Sequence, residues 1–234
     1  MRVRVLSAIS TATMALIFVA SASVMRADVI YSNFGPGQTY QGASWWNVGG
    51  AAAGTPSQVD AFSFSPSETA VVTGADLALA GSAPTQNPTT PISPLTVYIE
   101  SSTAGGPGTI LDTLTQSGTY SSYPTTTVVD FTCSGSCTTL DAGTTYWIVG
   151  QQPVVGDLEY WLWNNTGVTG TWYFDSTNSA TGPWTVATAG NTFGAFDVTG
   201  TAATPSVPEP ASLALLGSGL LGIVAVARRR GLRV

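Results

Sequence analysis

The chain has 234 residues and a formal net charge of −6, with only 9% charged residues, no Lys and no His. Twelve of its thirteen acids and none of its seven Arg lie between Asp28 and Val207. A middle without cations cannot neutralise phosphates, which excludes nucleic-acid binding, and the lack of His and Lys removes the usual general bases, Ser-His triads and Schiff-base chemistry.

The N-terminus reads as a signal peptide over residues 1–27. Arg2 and Arg4 form a positive n-region and Ala12–Ala20 an apolar h-region. Ala20-Ser21-Ala22 fits a small-x-small cleavage site, and a cut after Ala27 is the alternative. An uncleaved anchor is the rival reading, for which the stretch is short.

Residues 28–200 form one domain, long enough to bury a sizeable core. Seven Trp, eight Tyr and eight Phe argue against disorder. Short apolar or β-branched runs predict strands at Val29–Phe34, Gln58–Ser65, Ala70–Ala80, Leu95–Ser101, Ile110–Gln116, Thr125–Thr132, Thr144–Gln151, Leu158–Asn164, Thr171–Asp175 and Thr192–Thr199. Phe62 and Phe64 share one face of their run, and Leu95, Val97 and Ile99 one face of theirs, the alternation of half-buried antiparallel strands. Gly- and Pro-rich connections such as Ala104–Gly108 and Ser82–Pro94 separate the runs. The expected fold is all-β, an antiparallel β-sandwich or jelly roll.

Cys133 and Cys137 are the only cysteines, and an even count in an exported chain predicts a disulfide. Without His or further Cys they make no metal site, and no cation stands near to lower a thiol pKa. No metal or other cofactor is expected. The scattered acids Asp28, Asp60, Asp76, Asp130, Asp141 and Asp157 leave a structural Ca²⁺ open, but no dense Asp-x-Asp-x-Asp loop exists.

Leu158–Trp163 places Glu159, Trp161 and Trp163 on one strand face and Tyr160 and Leu162 on the other. Two readings follow. Either a sandwich buries both faces, or Trp161, Trp163, Trp172 and Glu159 form a platform on which sugar rings stack, with Asn164, Asn165 and Asp175 near to take hydroxyls. Trp45-Trp46 poses the same choice beside Gly49–Gly54, which reads as a loop. A glycoside hydrolase would need a carboxylate pair, for which Asp157 with Glu159, or Glu159 with Asp175, is available. It ranks last, because any acidic β-protein offers such pairs. Asn164-Asn165-Thr166 has the pattern of a glycosylation sequon and is read as chance.

A linker, 201–207, leads to a tripartite tail over 208–234: Pro208-Glu209-Pro210, an uncharged stretch from Ala211 to Ala227, and Arg228-Arg229-Arg230. Seventeen helical residues rise ~26 Å, close to a hydrocarbon core, and predict a single transmembrane helix. The Arg cluster would stay cytoplasmic, placing 28–207 outside.

In order, spacing and position this tail resembles the PEP-CTERM sorting signal. The resemblance implies recognition by an exosortase, a membrane cysteine protease-transpeptidase, and removal of the tail near Pro208–Pro210. It also implies a Gram-negative cell that secretes exopolysaccharide and forms biofilms. In the middle, Thr139-Leu140-Asp141-Ala142-Gly143-Thr144-Thr145-Tyr146-Trp147 resembles the L-x-A-G-T-x-Y-W strand of choice-of-anchor domains, and the aromatic segments Tyr160–Trp163 and Trp172-Tyr173 are similar to theirs. That resemblance implies a β-sandwich and carries no activity. The expectation is a non-enzymatic protein of the cell surface or extracellular matrix. Its partners are an exosortase, the membrane before processing, and extracellular polysaccharide. The alternative is a carbohydrate-binding module.

Overall fold

The computed structural model describes residues 27–49, 57–81, 93–154, 157–187 and 189–203. The signal peptide and the sorting tail lie outside the described residues. Within these, every regular element is a strand: β1 (Asp28–Ser32), β2 (Tyr40–Gly49), β3 (Val59–Phe64), β4 (Ala70–Gly81), β5 (Thr96–Thr103), β6 (Gly106–Ser117), β7 (Thr127–Cys133), β8 (Thr139–Leu140), β9 (Tyr146–Gln151), β10 (Leu158–Asn164), β11 (Thr169–Gly170), β12 (Tyr173–Asp175), β13 (Thr185–Val186), β14 (Asn191–Thr192) and β15 (Phe196–Ala202). The described residues contain no helix long and apolar enough to cross a membrane.

Thirteen strands join one antiparallel sheet, ten of them in the order β1-β15-β4-β7-β6-β5-β9-β3-β12-β13 with β2, β8 and β10 off this path, and β11 pairs separately with β14. The twelve-residue β4 is the hub. It pairs with β15 and β7 along its length, with β8 at Ala70–Val71 and with β10 at Leu79–Gly81. β10 pairs in turn with β2, and Gly49 at the end of β2 bridges to Gln58 before β3. The pairings thus run from β4 by both directions to β3, and the sheet wraps around its own interior.

Period-two alternation fills that interior. Phe62 and Phe64 of β3, Val97 and Ile99 of β5, Ile148 of β9 and Trp161 of β10 meet Leu77, Leu79, Phe131 and Phe196 there. Each such side chain contributes about 1.5–3 kcal/mol by leaving water. The outer faces carry smaller clusters. Val59, Ala61, Trp147 and Val149 lie under Ala180 and Trp184. Ala78, Leu162 and Ala195 lie under Phe34, Tyr40 and Trp45. These covers explain why β9 reads as a continuous apolar run: both of its faces are buried.

Several elements depart from the sequence expectation, and the short β8, β11, β13 and β14 have no counterpart in it. Trp45-Trp46 lies in a ten-residue strand, β2, where the sequence predicts no strand; of the expected loop Gly49–Gly54, Gly49 ends β2 and the rest lies outside the described residues. The register of β2 against β10 jumps from Leu162↔Trp45 to Trp163↔Gln41, and this irregularity conceals the alternation. β6 begins at Gly106 rather than Ile110, because Thr103↔Gly106 and Ser102↔Pro107 close a hairpin over Ala104-Gly105. The last strand also runs past residue 200 to Ala202.

Candidate functional site

β10 lies between β2 and the end of β4, so its two faces have different fates. Trp161 points inward and is 0% exposed. Its ring meets Phe62 edge-on at 4.8 Å and Phe196 at 6.0 Å, and its Nε1 donates to the Ala195 carbonyl at 3.0 Å. Gly194 lies flat against the indole: a Cβ there would come within 2.6 Å of Cδ1 and Nε1. Trp161 is therefore core, which corrects the platform reading for this residue. Trp172 is 9% exposed and donates through Nε1 to Asp60 Oδ1 at 3.1 Å. Glu159 is fully buried. Of the four proposed platform residues only Trp163 is half-exposed, and the four do not form a surface row.

The structure brings other aromatics together. Trp46 stacks on Trp172 at 4.1 Å and touches Trp163 at 5.5 Å, its Nε1 held by the Thr192 carbonyl. On the opposite face, Trp45 stacks on Tyr160 at 4.6 Å and leans on Tyr123 at 5.0 Å. Trp45, Tyr123 and Tyr160 are all half-exposed. Consecutive residues of a strand face opposite ways, so the Trp doublet serves one cluster with each member. The pairing of β2 with β10 that aligns them is not visible in the sequence.

Six carboxylates are buried, Asp60, Glu100, Asp112, Glu159, Asp175 and Asp197, while Asp76 is half-buried and Asp130 exposed. Asp60 accepts hydrogen bonds from Gln58 Nε2 at 2.7 Å and Trp172 Nε1, yet burial pushes its carboxyl up to about 8. Glu100 on β5 is 0% exposed, neither of its oxygens has a hydrogen-bond partner among the described residues, and burial pushes it up to about 8. Glu159 is raised to about 8, again by burial, although Gln152 Nε2 donates to Oε1 at 2.6 Å. The Tyr120 phenol is raised by its own burial and by the Glu159 charge. Asp197, Asp76 and Asp130 stand side by side across β15, β4 and β7. Burial first, then Asp197, raises Asp76 to about 6, while Gln38 Nε2 donates to Asp76 at 2.8 Å and to Asp197 at 3.3 Å.

The carboxylates nominated for hydrolysis have other partners. Asp157 accepts from the Ser93 amide, and Asp175 Oδ1 from the Thr177 amide and hydroxyl and the Ser179 amide, closing the turn after β12. Glu159 and Asp175 lie on separate strands, β10 and β12, each fully buried.

Cys133 and Cys137 form a disulfide with a Cα–Cα distance of 6.3 Å at the end of β7. Their sulfurs lie near Asp112, the one Cys and carboxylate cluster with metal-like spacing among the described residues. Both sulfurs are already bonded to each other, and Asp112 accepts from the Thr138 amide at 2.9 Å. The sequon asparagine Asn164 is 2% exposed and spends its Nδ2 on the Val168 and Phe193 carbonyls, so its role is structural.

The described domain is thus an all-β body that leads at Ala202 into the C-terminal tail. Residues 206–230 match the PEP-CTERM protein-sorting motif. The motif covers Pro208, Glu209, Pro210 and Arg228–Arg230, and it implies recognition by an exosortase and export to the cell envelope or surface. No curated protein and no solved structure matches the chain.

Proposed function

We propose that this is a non-enzymatic surface or matrix protein that an exosortase sorts, and that its rolled sheet acts as a sandwich-like structural domain in the exopolysaccharide of a biofilm. The observation that carries the reading is the sorting motif at 206–230 on an all-β domain. A signal peptide over 1–27 starts export, and a transmembrane helix from Ala211 to Ala227 holds the chain until the tail is removed. The absence of His and Lys supports a domain built for durability rather than turnover. The test is the mass of the protein from cells with and without an intact exosortase. Loss of residues beyond the motif only in the former is expected. A mature chain that still contains Ala211–Val234 overturns the sorting role.

One observation favours carbohydrate binding as a second reading. Trp45, Tyr160 and Tyr123 meet one another at 4.6, 5.0 and 6.0 Å and are half-exposed. Flat aromatic faces suit sugar stacking, and the lack of cations directs such a patch to neutral rather than polyanionic glycans. Co-sedimentation with neutral polysaccharide that is saturable and lost in Trp45→Ala supports it. Equal binding by Trp45→Ala removes the patch from the mechanism.

A further inference from the structure

The end of β7 brings two sulfurs and a carboxylate to one place. Cys133 is the last residue of β7, Cys137 follows across Gly135, and Asp112 reaches them from β6. The two Sγ atoms and one Asp112 oxygen lie within 4.8 Å of one another, and Cys133 Sγ stands 3.9 Å from Oδ1. Asp112 is 6% exposed, while both cysteines are half-exposed. The frame around them is held by bonds other than the disulfide. Cys133 pairs with Leu114 across β7 and β6. Thr138, on the far side of the loop, donates its amide to both Asp112 oxygens at 2.9 and 3.2 Å and its hydroxyl to the Leu111 carbonyl at 3.2 Å. The Thr138 carbonyl accepts from the Val72 amide at 3.0 Å.

A borderline-soft divalent ion takes these ligand types at this spacing. Zinc binds sulfur at about 2.3 Å and carboxylate oxygen at about 2.0–2.2 Å in a tetrahedron, which sets neighbouring ligand atoms about 3.5–3.8 Å apart. The 3.9 Å between Cys133 Sγ and Asp112 Oδ1 is close to that. The Cα atoms of the two cysteines are 6.3 Å apart. Once the bond between them is broken, the sulfurs reach a metal's ligand spacing by turning about Cα–Cβ. The Thr138 amide orients the carboxylate as an outer-shell partner does. No Lys, Arg or His lies between Asp28 and Val207 to pair with the carboxylate or the thiolates. Calcium and magnesium take all-oxygen sets and would pass over the sulfurs.

We propose that Cys133, Cys137 and Asp112 form a zinc-class metal site in the dithiol form of the domain, and that the disulfide closes it. A dithiol reductant supplies two electrons, breaks the S–S bond and leaves two Cys thiols, itself becoming a disulfide. The divalent ion then binds the two thiolates and the Asp112 carboxylate, two protons leave, and water takes the fourth position from the exposed side. Oxidation by a disulfide exchanger runs the other way: the S–S bond forms again, the oxidant becomes a dithiol, and the ion departs because one carboxylate does not hold it. The cytoplasm keeps thiols reduced, so an exported chain arrives as the dithiol and passes through the metal-binding form before the cross-link is made.

The exported protein, purified as cells release it, is reduced with a small dithiol, freed of the reductant without air and titrated with Co²⁺, whose tetrahedral thiolate complexes absorb in the visible and near ultraviolet. One ion per chain, displaced by Zn²⁺, is expected for the reduced form and none for the disulfide form. Asp112→Asn keeps an oxygen for the Thr138 amide and should weaken binding at least about tenfold. Asp130→Asn removes an exposed charge elsewhere on β7 and should leave binding unchanged. X-ray absorption at the zinc edge of the reduced wild type should count two sulfurs and two lighter ligands. Reduced wild type that takes no ion overturns the proposal, and so does wild-type affinity in Asp112→Asn that is folded by its Trp fluorescence. Equal weakening by Asp130→Asn overturns it as well, since the effect would be one of net charge. Four sulfurs overturn it by placing the ion between two chains. Should Asp112→Asn not fold, the sulfur count of the wild type decides alone.

Discussion

Glu100 makes the buried acids testable. Its carboxyl is 0% exposed, without a partner among the described residues, and raised by burial from an ordinary 4.5 to about 8. A folded-state pKa above the unfolded one means that folding takes up a proton. The associated stability is complete below about pH 4.5 and is lost as the pH rises toward 8, by about 1.4 kcal/mol per pH unit. At pH 7 the loss from this one group is about 3 kcal/mol. Glu100→Gln keeps the shape and removes the ionisation. Its amide adds one buried donor, a cost of about 1 kcal/mol. The variant should therefore be about 1 kcal/mol less stable than wild type at pH 4.5 and about 2 kcal/mol more stable at pH 7. Urea unfolding followed by Trp fluorescence at the two pH values reads the difference. A Glu100→Gln effect with the same sign and size at both pH values would refute the reasoning, since it would place the carboxyl in water.

The remaining expectations concern packing, charge and the cross-link. Trp161→Ala should cost about 3–5 kcal/mol as a large-to-small core change, whereas Trp45→Ala, half-exposed, should cost under half of that; equal losses in a denaturant titration would contradict the two burials. Asp130→Asn relieves a like-charge neighbour directly across from Asp76 and should stabilise by about 0.5–1 kcal/mol at pH 8 and by nothing measurable at pH 4.5, where Asp76, raised to about 6, is already protonated; thermal melts at both pH values check the sign. Reduction of Cys133–Cys137 opens a loop of only five residues and should cost about 2 kcal/mol or less, a fall in Tm of a few degrees for a domain of this size. A much larger fall would mean that Asp112 and Thr138, joined at 2.9 Å, come apart with it.

How much was legible follows from the range of each signal. The strands β3, β4, β5, β9 and β10 showed themselves by alternation or by continuous apolar runs, because side-chain period is a local property. Strand β2 did not, since an irregular register with β10 breaks its pattern. The Trp-rich segment had two readings that no local rule separates. Trp161 and Trp163 share a strand face, yet one is wholly enclosed by Phe62, Phe196 and Gly194 and the other is half-exposed. The difference comes from residues thirty or more positions away. Glu100 gave no signal either, because a carboxylate at an alternating position reads as solvated until a neighbouring layer covers it.

The sequence by itself determined that this chain is all-β in its middle, carries a disulfide between neighbouring cysteines and ends in a sorting motif. Each of these rests on composition or on spacing along the chain, and needs no knowledge of what packs on what. Only the tertiary structure decided that the Trp residues divide between an interior and two half-covered clusters. It alone showed that six carboxylates are buried, and that the pairing of β1 with β15 brings both ends of the described chain to one end of the domain. Those are consequences of antiparallel pairing between strands far apart in sequence, β1 with β15 and β2 with β10. Which strands pair is fixed by how well the whole interior fills, a property that no short stretch of residues contains.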